Sequence, residues 1–477
     1  MTKRVKPEAA GLRRRELLIA AGAGAGALLL GADGRAADPK PEIDVLVVGG
    51  GFAGVTAARD CALRGYRTVL LEARERLGGR TFTSELGGHA IELGGTWVHW
   101  AQPYVWAEIQ RYGLAIAETP ELGLDLANEE LIALVGGKRV VLGAEDMAAV
   151  QAALEAYFGP ARLVWNRPHD SRFAQAELAK LDALSARDAL SRLELSLLPR
   201  EFLEGYLLSM TNGPLDRVAY TEMLRWWALG GWNLPGVSDA VARYKLADGT
   251  KALIAKMAEH GRFEVKLGAI ASRIESSEKG VRVSLAGGAQ LDARAAVITL
   301  PLNVLPEVDF APALDARLLE LARLRHGGRG FKLYIRAKGR ATRHKKASAV
   351  APATHPLSYA LTYAIDDAST LFVAFGADPA KLDVSDRNAV QEALRAWFPG
   401  VEVESISSWS WSSDPYARGT WATLPPGWVA RWAEALERDR GRLFFASGDV
   451  GEGWRGFIDG AIGAGSRAAV RVHGRLG

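Results

Sequence analysis

The feature that most constrains this chain is a strand, a glycine-rich turn and a helix closed by an acid, all between Ile43 and Glu72. Ile43-Asp44-Val45-Leu46-Val47-Val48 is a β-branched, apolar run leading straight into Gly49-Gly50-Gly51-Phe52-Ala53-Gly54. A helical stretch follows to Arg64, and the pattern predicts a second strand over Arg67 to Leu71 that ends at Glu72. A Gly-x-Gly-x-x-Gly spacing alone means little in a chain with 52 glycines. In this setting each glycine has a physical task. Gly49 permits the tight turn, Gly51 lets the backbone approach a pyrophosphate, and Gly54 lets helix and strand pack closely. The helix N-terminus offers free N–H groups and the positive end of a dipole to phosphates. Glu72 is spaced to accept hydrogen bonds from a ribose diol and disfavours a 2′-phosphate.

That motif leaves NAD and FAD both open, and the residues after it choose between them. Ala73 to Thr81 adds Arg74, Arg80 and the pair Gly78-Gly79, which suits a longer and more buried dinucleotide. The chain carries no second well-placed glycine fingerprint for a nicotinamide cofactor. Its lone cysteine, Cys61, cannot form the redox pair of a disulfide reductase. Eight scattered histidines and that one cysteine also give no metal-ligand spacing.

The fold class this predicts is α/β (α+β): a split, doubly wound FAD-binding domain interleaved with a substrate domain of mixed sheet plus helices. From Gln102 to Asn233 the pattern reads as mostly helical, with Trp226-Trp227 near its end. Strand signals return at Phe263 to Leu267, Val281 to Leu285, Ala296 to Leu300, Phe331 to Ile335, Leu371 to Phe375, Val403 to Trp411 and Leu443 to Ala446. Helices are expected over Asn388 to Trp397 and Asp459 to Val472. The domain reading assigns 41–100, 238–304 and 432–477 to the FAD-binding domain, and 101–237 and 305–431 to the substrate domain.

Residues 1–37 read as an export signal with a twin-arginine pattern at Arg14-Arg15-Glu16-Leu17-Leu18, an apolar stretch from Leu17 to Ala32, and small residues at Ala36 and Ala37. The apolar stretch is Gly-rich and shorter than the roughly 20 residues a membrane span needs, so no stable insertion is expected. The expected compartment is the periplasm. The first 36 residues hold seven Lys/Arg against three acids, so the remainder balances at 52 of each sign. The sequence pI near 9.0 is therefore no argument for nucleic acid.

Beyond the glycine motif, Leu71 to Thr81, Glu92-Leu93-Gly94-Gly95-Thr96-Trp97, Lys332, Trp421 to Gly427 and Gly453 to Ala461 together resemble the flavin-containing monoamine oxidase family. Gly51-Phe52-Ala53-Gly54, Gly78 to Thr83 and Trp97-Val98-His99-Trp100 are most similar to its bacterial nicotine-oxidoreductase-like branch. The resemblance implies that Gly95, Thr96, Trp97 and Ile458 lie near the flavin, that Ala53 belongs to the pyrophosphate turn, and that Val265 lies near the adenine. It implies that Lys332 holds a water at flavin N5. Read without the family, Lys332, Tyr334 and Arg336 share the side of an alternating strand that is ordinarily solvated. Trp421 and Phe457 correspond to the two aromatic positions that flank the amine, a Trp–Phe pair where two tyrosines are common. Thr420 stands where some members carry a flavin-linked cysteine, which implies non-covalent FAD. Asp449 stands where Glu is usual near the ribityl and pyrophosphate, the shorter acid reaching through water.

The reaction expected is oxidation of the C–N bond of a primary or secondary amine, of nicotine-like or pseudooxynicotine-like alkaloid type, to an imine by hydride transfer to the flavin. Aromatic walls can hold a cationic amine and also desolvate it toward the neutral form. Expected partners are the amine, oxygen or a periplasmic c-type cytochrome as electron acceptor, and a second copy of the chain as a homodimer. Two alternatives remain open: an L-amino-acid oxidase, whose carboxylate would need a cation such as Arg455, and an exported flavoprotein that only carries electrons.

Overall fold

In the computed structural model the first strand, Ile43–Val48, forms as read, with Val45 to Val48 all but fully buried. It lies between two parallel neighbours, pairing Val45 with Thr68 and Val48 with Leu71 on one side, and Ile43 with Ala293 and Val48 with Ile298 on the other. Val45 and Val47 pack with helix Phe52–Leu63, whereas Leu46 and Val48 join a second core on the opposite face. A strand covered on both faces reads as a continuous apolar run, as this one does. The described residues are 42–120, 129–170, 173, 175–342, 346–437 and 439–477. The export reading at 1–37 lies outside them.

The nucleotide-binding sheet runs in the order Glu264–Lys266, Thr68–Leu71, Ile43–Val48, Gln290–Ile298, Val281–Leu285, Ala271–Ser276 and Asp309–Ala311. Strand Gln290–Ile298 is long enough to serve two neighbours on one side. Its first half pairs antiparallel with Val281–Leu285, and its second half pairs parallel with Leu443–Phe445. Helix Ile458–Leu476 packs beside Phe52–Leu63 in the shared core, closely enough that a methyl on Gly465 would lie 2.2 Å from the Ala53 carbonyl oxygen.

A second, seven-stranded sheet has the order Val403–Ser408, Phe331–Lys338, Ser369–Gly376, Tyr359–Ile365, Lys346–Val350, Glu129–Val135 and Lys138–Val141. It is mixed: all neighbours are antiparallel except Lys346–Val350 beside Glu129–Val135. On Phe331–Lys338 the residues Leu333, Ile335 and Ala337 enter a core with Trp397 and Phe398. Lys332 and Tyr334 point the other way and are buried too, so the face that alternation leaves to solvent is covered by the strand His89–Glu92 and the segment after it. The α/β fold class read from the sequence is borne out by this pairing of a doubly wound sheet with a mixed one.

The sequence reading departs from the structure between Gln102 and Asn233. Helices dominate from Ala144 to Ala242, but Ile116–Glu118, Glu129–Val135 and Lys138–Val141 are strands. Glu129-Glu-Leu-Ile-Ala-Leu-Val is built of good helix formers, and burial within the sheet overrides that preference. The turn is the signal: Gly136 and Gly137 both take positive φ, 58° and 76°, the pair a tight hairpin needs. Strand Asp309–Ala311 also lies past the expected boundary at 304, on the edge of the nucleotide-binding sheet. No described helix is long and apolar enough to cross a membrane.

Candidate active site

One cavity of about 460 Å³ runs between the two sheets. Its first wall is the glycine turn. Gly49 has φ 110°, and a methyl there would lie 2.6 Å from Thr299 Oγ1, whose hydroxyl contacts the Val48 and Gly49 carbonyl oxygens. A methyl on Gly54 would meet the Gly49 oxygen at 1.9 Å. These two glycines are therefore required by the protein's own packing. Gly51 is not: a methyl there meets only the Gly79 Cα, at an ordinary 3.7 Å. Its missing side chain opens the cavity at the start of helix Phe52–Leu63, a cradle that suits a phosphate group. Ala53, two residues on and in the first turn of that helix, also lines the cavity.

Glu72 is buried beneath this turn, accepting the Gly50 N–H at 2.6 Å and the Arg74 N–H at 2.8 Å, one on each oxygen. Each oxygen keeps a lone pair for a ribose hydroxyl. Arg74 pairs with Asp414 and lies over the Tyr416 ring, 5.2 Å from its centroid. Arg80 donates to the Thr420 carbonyl oxygen at 2.8 Å and pairs with Asp449. Both arginines line the cavity.

Two expected cofactor residues do not line it. Asp449 is fully buried behind the wall, with its oxygens taken by Arg80 and, at 2.8 Å, by the Leu302 N–H. Burial opposes ionisation there, but the Arg80 guanidinium and the Leu302 N–H hold the carboxyl below its usual range. The residue thus positions Arg80, and no water bridge from a shortened acid is needed. Val265 pairs with Leu70 in strand Glu264–Lys266 and packs in the core under the cofactor helix. Ala269, Ile270 and Ala271 line that end of the cavity in its place.

At the other end, Gly95, Thr96, Trp97 and Ile458 come together with Lys332. The Lys332 ammonium donates to the backbone carbonyl oxygens of Glu92 at 2.7 Å and Gly94 at 3.0 Å and to Thr96 Oγ1. These three acceptors use all of its hydrogens. Burial pushes the Lys332 pKa well down, against the pull of Glu92, while the positive charge of Lys245 pushes it further. Burial pushes the Glu92 carboxyl up, opposed by hydrogen bonds from Thr250 and Thr83.

Trp421 and Phe457 line the same cavity. The Trp421 indole N–H is fixed by the Met210 carbonyl oxygen at 2.8 Å, and its ring meets Phe375 edge-on with centroids 6.1 Å apart. Phe457 sits at the start of helix Ile458–Leu476, held between Trp226 and Trp454 at centroid distances of 4.8 and 4.9 Å. Tyr206, Met210, Trp226, Tyr359 and Phe375 complete the walls, and the sequence reading assigned none of them a role. Phe375 had a signal, since it is the cross-strand partner of both Lys332 and Tyr359 and must share their face.

Every lining cation has a partner: Arg74 with Asp414, Arg80 with Asp449, Arg418 with Glu307, and Lys332 with three oxygens. Arg455, the candidate carboxylate ligand, does not line the cavity. It is buried against Glu222 at 3.1 Å and lies over the Trp428 ring. Cys61 is buried in helix Phe52–Leu63, its thiol pushed up to about 12 chiefly by burial, and it too is outside the cavity lining.

Residues 52–473 match the family described as flavin containing amine oxidoreductase. Pseudooxynicotine dehydrogenase of a Pseudomonas species is 38% identical, with 98% of this chain and 96% of that protein covered. Nicotine dehydrogenase of Pseudomonas putida (strain DSM 28022 / S16) is 36% identical over 90% of this chain and 88% of its own length. Among solved structures, cyclohexylamine oxidase from Brevibacterium oxydans IH-35A superposes with a TM-score of 0.78 at 21% identity, covering 91% of this chain and all of that one. Putrescine oxidase bound to putrescine gives 0.77 at 19% identity, covering 92% of this chain and all of that one.

Proposed function

Because the chain belongs to the flavin containing amine oxidoreductase family and is on that ground a flavin-dependent oxidoreductase of amines, we propose that its flavin is non-covalent FAD and its substrate a secondary or primary alkaloid amine. The observation that carries this reading is the continuity of one cavity from the Gly51 cradle, past Lys332, to the Trp421–Phe457 pair. FAD would be held by the cradle and helix N-terminus at its phosphates, by Glu72 at a ribose and by the Gly95–Trp97 segment at its ring. A single cysteine, buried elsewhere, supports a flavin held without a thioether. When bound, FAD supplies two-electron oxidation, accepting hydride from the carbon α to a neutral amine to leave an imine that water hydrolyses.

The protein's part is to bind, orient and dry the amine. Trp421 and Phe457 present aromatic faces that attract the ammonium on entry. The same apolar walls favour its neutral form once water is excluded. Trp421 is held by Met210, and Phe457 by two tryptophans, so the slot between them is preorganised. The names of the two dehydrogenase relatives favour an acceptor other than oxygen, and a periplasmic c-type cytochrome fits the export signal read at 1–37. The amino-acid reading finds no unpaired cation among the described residues that line the cavity.

The deciding experiment is an anaerobic panel of amines, including pyridine alkaloids and the amino acids that would decarboxylate to them, followed by flavin absorbance near 450 nm. Bleaching by amines and not by amino acids is expected, with faster reoxidation by cytochrome c than by oxygen. Absence of bleaching by every amine sinks the reading.

A further inference from the structure

The backbones that carry Trp421 and Phe457 meet at Gly456. That residue takes φ 86°, and a methyl on it would lie 3.3 Å from Trp421 Cβ and 3.0 Å from the Ala422 carbonyl oxygen. The two aromatic walls therefore share one edge, and the gap between their rings depends on how each backbone is held there. The residue before each aromatic is held from the same place. One arm of the Arg80 guanidinium, Nη1, donates to the Thr420 carbonyl oxygen at 2.8 Å. The other, Nη2, donates to Asp449 Oδ1. Asp449 follows Gly448, whose carbonyl oxygen accepts the Gly456 N–H at 2.8 Å. The Arg80 main chain ties in a third wall: its carbonyl oxygen accepts the Gly95 N–H at 3.1 Å, and a methyl on Gly94 would lie 2.0 Å from that oxygen.

We propose that Arg80, anchored by Asp449, is a positioning residue that sets the spacing of the Trp421–Phe457 slot by fixing the backbone ahead of both rings. The inference rests on the amine reading for what enters the slot, and on hydrogen bonds alone for the frame. The frame demands a planar fork. Two N–H groups must point at once to the Thr420 oxygen and to a carboxylate on another segment, which a rigid guanidinium does in one rotamer. A lysine ammonium is a flexible point charge and does not replace it.

The anchor must be a carboxylate for a matching reason. Asp449 is fully buried and gives Oδ1 to Arg80 and Oδ2 to the Leu302 N–H, the latter at 2.8 Å. An amide in its place has one oxygen for two donors, so one side of the frame comes free. Met210, Trp226 and Trp454 hold the rings from outside, while Arg80 holds their backbones from inside. Held from outside only, the rings keep their packing and lose the fixed gap between them. Arg80 also lines the cavity, so its charge toward a cofactor phosphate has to be separated from this role. Lysine retains the charge and loses the fork.

The test uses flavin-loaded enzyme carrying para-fluorophenylalanine in place of Phe457, so that one ¹⁹F resonance reports the slot without turnover. Arg80→Lys should retain flavin, read from the ratio of 450 to 280 nm absorbance, while the ¹⁹F line shifts or splits. In the unlabelled variant the limiting rate of anaerobic bleaching by amine should fall about tenfold or more, since a shift of about 1 Å in a positioned group costs up to about a hundredfold. The amine concentration at half-saturation should change less. Asp449→Asn should behave alike and serves if Arg80→Lys does not fold. In a Phe457→Ala background, where one wall is gone, neither substitution should slow bleaching by more than about twofold. A parental ¹⁹F line in a folded, flavin-loaded Arg80→Lys or Asp449→Asn enzyme overturns the proposal, and so does an undiminished slowing in the Phe457→Ala background. A shifted line with no bleaching by any amine in the parent would sustain the frame and sink the amine reading.

Discussion

Asp459 is a single carboxylate that ties the helix carrying Phe457 at its start to the helix Pro103–Tyr112. Its Oδ1 accepts the Tyr104 and Val105 N–H groups at 2.6 and 3.0 Å, while Oδ2 is buried without a hydrogen-bond partner. Burial pushes its pKa from 3.8 up to about 6. Between those values the folded state binds more protons than the unfolded one, so stability falls as pH rises through the window, and the cost is complete above it. Keeping this carboxylate charged in the folded protein then costs about 3 kcal/mol. Asp459→Asn keeps the capping oxygen and removes the buried charge, so it should melt a few degrees higher than the parent at pH 8 and match it near pH 4. Thermal melts at both pH values check this, and a gain at pH 4 alone would contradict the sign. Lys332 gives the catalytic counterpart: Lys332→Met should retain fold and flavin while amine-dependent bleaching slows by about a hundredfold. Bleaching and reoxidation at the parental rate would remove Lys332 from the mechanism.

At the scale of elements, the glycine turn separates what the fold needs from what the ligand needs. Gly54→Val should fail to yield soluble protein, since even a first carbon would lie 1.9 Å from the Gly49 oxygen. Gly51→Val should fold with a melting point close to that of the apoprotein yet purify without flavin, checked by the ratio of 450 to 280 nm absorbance. Flavin-loaded Gly51→Val would show that the cradle lies elsewhere. This turn was legible because its contacts are local: strand, turn, helix and acid lie within thirty residues and obey one period each. Lys332 was legible as one residue of an alternating strand, but the layer that buries it comes from Glu92 to Thr96, distant in sequence. The hairpin Glu129–Val141 was misread because helix-forming residues occupy a strand whose partner, Lys346–Val350, is also remote. Asp449 and Val265 sit in the expected strand and turn neighbourhoods, yet a side chain's direction depends on register that no local pattern carries.

For the whole molecule, the aromatic slot and buried lysine together predict how rate depends on pH. If the neutral amine is the reactive form, as proposed, the rate of anaerobic bleaching should rise about tenfold per pH unit until the bound amine's pKa is passed. Rapid mixing between about pH 6 and 9 tests this, and a flat profile would count against hydride loss from a neutral amine. The cavity is also a matter of timing. Its walls run from Val48 to Ala461, and the final turn of lining belongs to the helix Ile458–Leu476 that packs on the cofactor helix. No earlier portion of the chain contains a complete flavin pocket, however well its first strand, turn and helix form. A chain in which helix Ile458–Leu476 has not yet docked therefore lacks the Ile458 and Ala461 part of the lining. Flavin capture therefore waits on the docking of that helix, and any transport that needs a loaded protein has to wait with it.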